Sequence, residues 1–232
     1  NIYYVKRSDL TYKVNYLEKT TNKVLHEAKT ARNQVFDSSI TAESEKIAIN
    51  GYEYNSADKL ELTITTGENV LNLYYTKRAD LSYTVNYLEE GTEKVLSPAK
   101  TVNNVKFETV ITSSKEAINI DGYNYAYPDI ETLTVGTGAN VINIYYTKVD
   151  NLSYRINFLE KITNKQLHAP DIQGDQEFEA VITAADKVIE INGYNYDSVD
   201  KETITIGTSE NVINVYYTKR NDLTYKVNYL EK

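Results

Sequence analysis

The chain has 232 residues, a net charge of −8 at pH 7 and no cysteine. The missing cysteines exclude disulfides, thiol nucleophiles and thiolate metal sites, and an acidic balance without any basic run argues against a nucleic-acid partner. No stretch approaches the roughly 20 apolar residues of a membrane helix, so we expect no membrane insertion by this segment.

A unit of 71 residues occurs three times in strict register, each time opening on a version of DLTYKVNYLE. Residues 1–19 match 214–232 almost letter for letter, so we expect the segment to come from a longer array. The predicted divisions are the end of a preceding repeat at 1–8, repeats at 9–79, 80–150 and 151–221, and the start of a following repeat at 222–232.

The length of the period bears on the architecture. A unit of this size can bury a minimal core by itself. Solenoid repeats usually have periods of about 20 to 50 residues, which is shorter. The sequence therefore favours three similar small domains over one solenoid.

The opening of each repeat predicts two strands. Tyr12, Val14 and Tyr16 alternate with polar residues, which is the period-2 pattern of a half-buried strand. The segment KTTNKVL that follows predicts a hairpin turn and a second strand at 23–25.

The middle of the repeat predicts a short helix and a sharp turn. Thr41 is placed to cap a helix that carries Ile40 and Ile47 on one side. Asn50-Gly51 tolerates positive φ, so a sharp turn should precede the aromatic segment GYEY. The second repeat has Asp-Gly at this position.

The last part of the repeat predicts two further strands. One ends at 62–64, and after the turn TGEN the other covers 70–76, whose two apolar faces suit a central strand covered on both sides. Residues 77–80 join it to the next repeat and contain no Gly, Ser or Pro, so the joint should be stiff. The order strand, strand, short helix, strand, strand indicates a compact α+β unit.

These motifs resemble the mucin-binding-protein (MucBP) type repeats of Gram-positive cell-surface proteins. The similarity lies in the opening YxVNYLE, the hairpin ending in Lys, the turn (N/D)GY and the closing NxYYTK, which span nearly all of each unit. It implies small β-grasp (ubiquitin-like) domains, mostly β, with the first and last strands parallel and the units arranged end to end as an elongated rod. The family's acidic-Gly turn after strand one is replaced here by TTNK, GTEK and ITNK, so that loop's ligand contacts are not carried over.

The resemblance also implies a place and a partner. It points to an extracellular, cell-wall-attached protein whose anchor lies outside this segment, and to adhesion to host mucin or another glycan. Two functions stay open: multivalent glycan binding by a monomeric adhesin segment, or a stalk that projects a separate adhesive domain from the cell wall.

Nearly all of the 22 tyrosines recur in register, so tyrosine belongs to the plan of the unit. Most rings should pack on the small sheet, and Phe158, at the position of Tyr16 and Tyr87, shows that this column does not need a hydroxyl. For a glycan platform we predict one tyrosine per repeat with a nearby carboxylate acceptor: Tyr54, Tyr125 and Tyr196 with Asp58, Asp129 and Asp200.

No catalytic or metal-binding constellation repeats, so we expect no enzyme activity, no cofactor and no metal. His26 and His168 are replaced by Ser97 in the second repeat, which argues against a general base or ligand needed in every copy. No serine column for a Ser-His-Asp arrangement and no acidic cluster at ligand spacing is shared.

Glu18 and Lys23, with their equivalents, predict a cross-strand ion pair at the hairpin. The alternative is a Lys–Asn isopeptide crosslink with the glutamate as proton-transfer group, for which Asn15 and Asn72 are the candidates. A hydrogen bond between these asparagines on adjacent central strands explains them without a new bond.

Overall fold

A computed structural model describes all 232 residues and is mostly β. Its helical segments are single 3-10 turns at Glu43–Glu45, Ser113–Glu116 and Ala184–Lys187, and none of them could span a membrane. The strands in chain order are β1 (Leu10–Glu18), β2 (Val24–Gln34), β3 (Ser39–Thr41), β4 (Tyr52–Ala57), β5 (Glu61–Thr63), β6 (Val70–Lys77), β7 (Leu81–Glu89), β8 (Val95–Val105), β9 (Val110–Thr112), β10 (Tyr123–Pro128), β11 (Thr132–Thr134), β12 (Val141–Lys148), β13 (Leu152–Glu160), β14 (Gln166–Gln176), β15 (Val181–Thr183), β16 (Tyr194–Val199), β17 (Thr203–Thr205) and β18 (Asn211–Lys219).

Each repeat contains one four-stranded sheet and one two-stranded sheet. The strand orders are β2-β1-β6-β4 with β3-β5 in the first repeat, β10-β12-β7-β8 with β11-β9 in the second, and β14-β13-β18-β16 with β15-β17 in the third. The 71-residue sequence period is thus also a period of the structure.

The first and last long strands of a repeat lie side by side and run parallel, as the family resemblance implies. In the first repeat β1 pairs with β6 from Lys13 opposite Val70 to Glu18 opposite Tyr75. β13 and β18 pair in the same way in the third repeat. The hairpin strands β1 and β2 are antiparallel. Assignment of this unit to the β-grasp fold stays a prediction.

The core of the first repeat lies on one face of its sheet. Every second residue of β1 points into it, and so do Leu71, Leu73 and Tyr75 of β6. β6 is a central strand, as predicted, but its other face is only half-buried. The prediction of burial on both faces is therefore wrong, since Val70, Asn72 and Tyr74 on that face keep part of their surface exposed.

The predicted short helix is reduced to the 3-10 turn Glu43–Glu45. Thr41 Oγ1 still accepts a hydrogen bond from Ser44 N, at 3.3 Å. Beyond the turn, Tyr75 Oη binds both Ile47 N and Ile47 O, each at 3.1 Å. Since a buried side chain from β6 satisfies this backbone, the segment has no need to continue as a helix.

The chain forms two compact units. The first contains residues 1–86, 98–116 and 128–143, and the second contains 87–97, 117–127 and 144–232. The second repeat contributes to both. The joint at 77–80 lies within the first unit and the joint at 148–151 within the second, and division into one domain per repeat stays a prediction.

Candidate functional site

The predicted tyrosine column lies on the strand that follows the glycine turn. The rings of Tyr125 and Tyr196 are 45% and 49% exposed. Tyr54 is half-buried, and Lys46 Nζ lies 4.0 Å from the centroid of its ring. Each ring also touches a buried tyrosine of the last strand edge-on; the centroid separations are 5.8 Å for Tyr54–Tyr75, 6.2 Å for Tyr125–Tyr146 and 6.3 Å for Tyr196–Tyr217. Two of the three rings therefore offer surface to solvent.

The carboxylates of the predicted aspartate column accept hydrogen bonds from asparagines of the last strand of each repeat. Asp58 Oδ1 and Oδ2 accept hydrogen bonds from Asn72 N and Nδ2, both at 2.9 Å. Asn15 Nδ2 in turn donates to Asn72 Oδ1 at 2.8 Å, so three adjacent strands are tied together. The same bonds join Asp129, Asn143 and Asn86, and Asp200, Asn214 and Asn157.

The structure does not bring the tyrosines and aspartates together. Tyr54 packs on Tyr75, which belongs to the buried face of β6. Asp58 binds Asn72, whose side chain points to the other face because successive strand residues alternate. Glycan binding by either column stays a prediction. A single glycan that contacts both columns would have to extend from one face of the sheet to the other.

Polar and aromatic residues form a cluster at each of the two joints between repeats, with equivalent contacts at both. We call the first cluster junction 1; it comprises Asn50, Gly51, Tyr52, Lys77 and Arg78 of one repeat and Phe107, Glu108 and Thr137 of the next. Junction 2 comprises the equivalent residues 71 positions later: Asp121, Gly122, Tyr123, Lys148, Val149, Phe178, Glu179 and Thr208.

At the centre of junction 1, the ring of Phe107 lies on Gly51. Gly51 has φ = +78°, and a Cβ atom added there would come within 2.4 Å of the ring carbons. The ring also meets Tyr52 edge-on, with 5.7 Å between centroids. Glycine is thus required twice, by the left-handed backbone and by the close approach of the ring.

Polar contacts surround this ring. Phe107 N donates to Arg78 O at 2.8 Å, and Thr137 Oγ1 donates to Asn50 Oδ1 at 2.8 Å. Lys77 Nζ lies 2.8 Å from Glu108 Oε2. The hydrogen bond from Lys77 lowers the pKa of Glu108 below its ordinary value.

Junction 2 repeats this arrangement with additional ion pairs. Phe178 lies on Gly122, again at 2.4 Å from a Cβ position, and its N–H donates to Val149 O at 2.7 Å. Glu179 pairs with Lys148 at 3.4 Å, as expected from junction 1, and also with Lys94 at 3.0 Å. A lysine of the hairpin in the second repeat therefore joins this ion cluster.

The acidic residue after each phenylalanine has an unusual backbone. Asp37, Glu108 and Glu179 have φ values of 66°, 61° and 65°, a region that non-glycine residues rarely adopt. Glu108 N donates to Val135 O at 2.8 Å, which holds this conformation. Non-glycine residues kept at such a backbone position in every repeat indicate that the side chain matters there.

The sequence predicts the turn at Gly51 and a stiff joint at 77–80, but not that the phenylalanine of the next repeat packs on them. The available signal was a phenylalanine followed by an acidic residue in register in all three repeats, at Phe36, Phe107 and Phe178. Phe107 and Phe178 each contact the glycine turn of the preceding repeat, and the sequence spacing does not show this contact.

The predicted pairing of Glu18 with Lys23 is replaced by other contacts. Glu18 accepts a hydrogen bond from Thr21 Oγ1 in the hairpin. In the third repeat Glu160 pairs with Lys219 of the last strand, with 3.2 Å between Nζ and Oε1. The two histidines have packing contacts: the ring of His26 lies edge-on to Tyr16 and that of His168 edge-on to Phe158.

No protein-family model and no curated protein matches the chain. Several solved structures resemble part of it, among them the following two. Streptococcal High Identity Repeats in Tandem (SHIRT) domains 3-4 from a cell surface protein are 13% identical, with 60% of this chain and 98% of that chain covered and a TM-score of 0.23. A crystal structure of Mub-RV is 12% identical, with coverage of 60% and 99% and a TM-score of 0.24. TM-scores of this size do not establish a shared fold.

Proposed function

We propose that this chain is a non-catalytic, monomeric spacer segment of an extracellular surface protein, which holds a separate adhesive domain away from a cell wall. The observation that carries this proposal is the repetition of one junction. The same phenylalanine, glycine turn and lysine–glutamate pair join the first repeat to the second and the second to the third.

A spacer must resist bending where its units meet, and the junctions are built for that task. Only three residues separate β6, which ends at Lys77, from β7, which begins at Leu81. The short linker limits the conformations of the joint. Packing of Phe107 against Gly51 and Tyr52 then adds apolar contact, which stabilises by about 1–2 kcal/mol for a partly buried ring of this size.

The extracellular setting is supported by the sequence motifs. The phrases YxVNYLE, (N/D)GY and NxYYTK resemble MucBP-type repeats of Gram-positive surface proteins. The same resemblance supports the β-grasp assignment and attachment to a cell wall through an anchor elsewhere in the protein. A position on the first strand that differs in every repeat, with Lys13 and Arg155 exposed and Thr84 half-buried, fits a spacer better than a shared binding surface.

Distance measurements across junction 1 test the spacer proposal. The chain has no cysteine, so Glu27→Cys and Asn103→Cys give two clean spin-label positions, one in each of the first two repeats. We expect a narrow distance distribution that broadens in Phe107→Ala. Phe36→Ala is the matched control, because Phe36 lies on no glycine turn of this chain, and it should leave the distribution narrow. A distribution equally broad with and without Phe107 would refute the proposal.

Glycan binding is a second candidate function, and the exposed rings of Tyr125 and Tyr196 favour it. Aromatic faces of this kind can pack against the C–H groups of a sugar ring. We expect Tyr125→Ala with Tyr196→Ala to reduce binding to immobilised mucin, and Tyr54→Ala to have less effect, since Lys46 covers that ring. Unchanged mucin binding by a folded variant that lacks all three tyrosines would remove this candidate.

A further inference from the structure

The chain enters and leaves a repeat through two neighbouring strands that run in the same direction. In the first repeat it enters at Leu10, the start of β1, and leaves at Lys77, the end of β6. Because β1 and β6 are adjacent and parallel, the entry and the exit lie at opposite ends of the strand pair. The pair β13 and β18 of the third repeat has the same arrangement. A force applied through the chain therefore pulls the two strands in opposite directions along their length.

This direction of pull loads the strand pair in shear. The hydrogen bonds of a parallel pair are evenly spaced along the strands, so sliding one strand past the other strains all of them at once. A pull that separates the two strands from one end instead breaks the bonds one after another. The same pair should therefore resist a shearing force much better than a peeling force.

Backbone hydrogen bonds hold the pair at both ends of the paired segment. Lys13 N donates to Asn69 O at one end, and Lys19 N donates to Tyr75 O at the other, both at 2.9 Å. The residues between them are paired in register. Shear along the chain therefore meets a continuous row of bonds.

Two asparagine side chains add bonds across the same strand pair. Asn15 Nδ2 on β1 donates to Asn72 Oδ1 on β6 at 2.8 Å. Asn69, which is buried and directly precedes β6, donates from Nδ2 to Thr11 O at 3.0 Å. Equivalent bonds of 2.8 to 3.0 Å run from Asn86 to Asn143, from Asn140 to Ser82, from Asn157 to Asn214 and from Asn211 to Ser153. Every repeat thus has both side-chain bridges.

We propose that the parallel strand pair of each repeat is a clamp against force along the chain, and that the bridge between Asn15 and Asn72, with its equivalents, strengthens this clamp. Asn72 Nδ2 donates to Asp58 Oδ2, which holds the amide with its Oδ1 towards Asn15. The clamp is a property of one repeat and does not depend on the junctions. A tension-bearing role on a cell rests on the proposed extracellular setting.

Pulling on the first repeat in two directions tests the clamp within the whole chain. Because the chain has no cysteine, handles can be attached at cysteines introduced on exposed positions. Ser8→Cys with Ala79→Cys pulls the start of β1 against the end of β6 and shears the pair. Ser8→Cys with Glu68→Cys pulls the two strand starts apart and peels the pair. Optical tweezers measure the unfolding force, and we expect a severalfold higher force for shearing at the same loading rate.

Two variants separate the bridge from general stability. Forced unfolding follows the unfolding rate rather than the equilibrium free energy. Asn15→Ala removes a bond across the clamp, so it should lower the shearing force and leave the peeling force nearly unchanged. Tyr75→Phe is the matched control on β6: its lost hydrogen bonds go to Ile47 and not to β1. It should lower the urea midpoint and keep the shearing force close to that of the wild-type chain.

Either part of the proposal can fail. Equal forces for shearing and peeling in the wild-type chain would overturn the clamp. A shearing force that falls no more in Asn15→Ala than in Tyr75→Phe would overturn the role of the bridge. Circular dichroism checks that each variant is folded, and Asn15→Ser replaces Asn15→Ala if the latter is not, because the shorter side chain cannot span the distance to Asn72 Oδ1.

Discussion

Lys29 and Glu45 form an ion pair with 2.7 Å between Nζ and Oε2, and the third repeat carries the reverse charges at the same positions, Asp171 and Lys187. Glu45 is buried and also accepts a hydrogen bond from Tyr12 Oη at 2.9 Å. In the third repeat the hydrogen bond with Tyr154 is the main cause that raises the pKa of Lys187, and the charges of Asp186 and Asp171 add to it. These two positions therefore carry opposite charges in the first and third repeats, with Lys187 Nζ lying 5.6 Å from the centroid of the Tyr154 ring.

The reversed charges in the third repeat predict that one charge-reversing substitution in the first repeat destabilises it, and that a second one restores part of the stability. Glu45→Lys alone should destabilise the first repeat, since two lysines then face each other beside Tyr12. Adding Lys29→Asp should recover part of the loss, with a coupling of about 1 kcal/mol between the two positions. Urea unfolding of the four chains of the cycle measures this coupling. Additive effects of the two substitutions would mean that the pairing is not energetically significant.

The two glycine turns predict that the same Gly→Ala substitution lowers the free energy of unfolding by different amounts. Gly51→Ala and Gly193→Ala both place an alanine at positive φ, a strain of about 1–3 kcal/mol. Only at Gly51 would the new Cβ also collide with Phe107. We expect a lower urea midpoint for Gly51→Ala, and recovery of the difference in Gly51→Ala/Phe107→Ala. Equal midpoints for the two single variants would show that the ring moves aside freely.

Junction 1 predicts a pH dependence through Glu108. The hydrogen bond from Lys77 lowers the folded-state pKa of Glu108 below its ordinary value of 4.5. A lowered folded-state pKa contributes stability above the unfolded-state pKa, and that contribution disappears as the pH falls through the folded-state value. We expect Glu108→Gln to reduce this acid sensitivity of the unfolding midpoint.

The control for that experiment is Glu61→Gln, on an exposed position of β5. It should leave the acid sensitivity unchanged. If Glu108→Gln and the wild-type chain lose stability in parallel from neutral pH to below 4.5, the pair with Lys77 does not contribute to folding.

Two buried tyrosines predict different effects of removing a hydroxyl. Tyr75 Oη binds both backbone groups of Ile47, so Tyr75→Phe leaves two polar groups without that partner and should cost about 1–3 kcal/mol. Tyr16→Phe should be nearly neutral, because Phe158 already fills that position in the third repeat. Urea midpoints of the two variants test the contrast; similar losses in both would contradict it.

The strands and turns that follow from residue alternation and from the repeated motifs are predictable from the sequence. The period-2 pattern of Tyr12, Val14 and Tyr16 gives β1, and positive-φ residues give the turn at Gly51. The predicted bond between Asn15 and Asn72 also forms. These features depend on neighbouring residues along a strand or on one pair of strands.

Features that depend on contacts between distant elements could not be predicted. The short helix fails because Tyr75, on another strand, satisfies the backbone of Ile47. Which tyrosine ring stays exposed depends on Lys46, which covers Tyr54 and has no equivalent lysine in the other two repeats. The column of Phe107 and Phe178 was visible in the sequence, but its partner lies in the preceding repeat.

Because the joints between repeats are equivalent, the gene can gain or lose whole repeats without losing a joint. Phe107 meets Gly51 through the same contacts as Phe178 meets Gly122, so either end of a repeat fits the complementary end of any other. Unequal recombination that deletes or duplicates a whole period would recreate an intact joint at the crossover. Copy number can thus vary between generations without any compensating mutation.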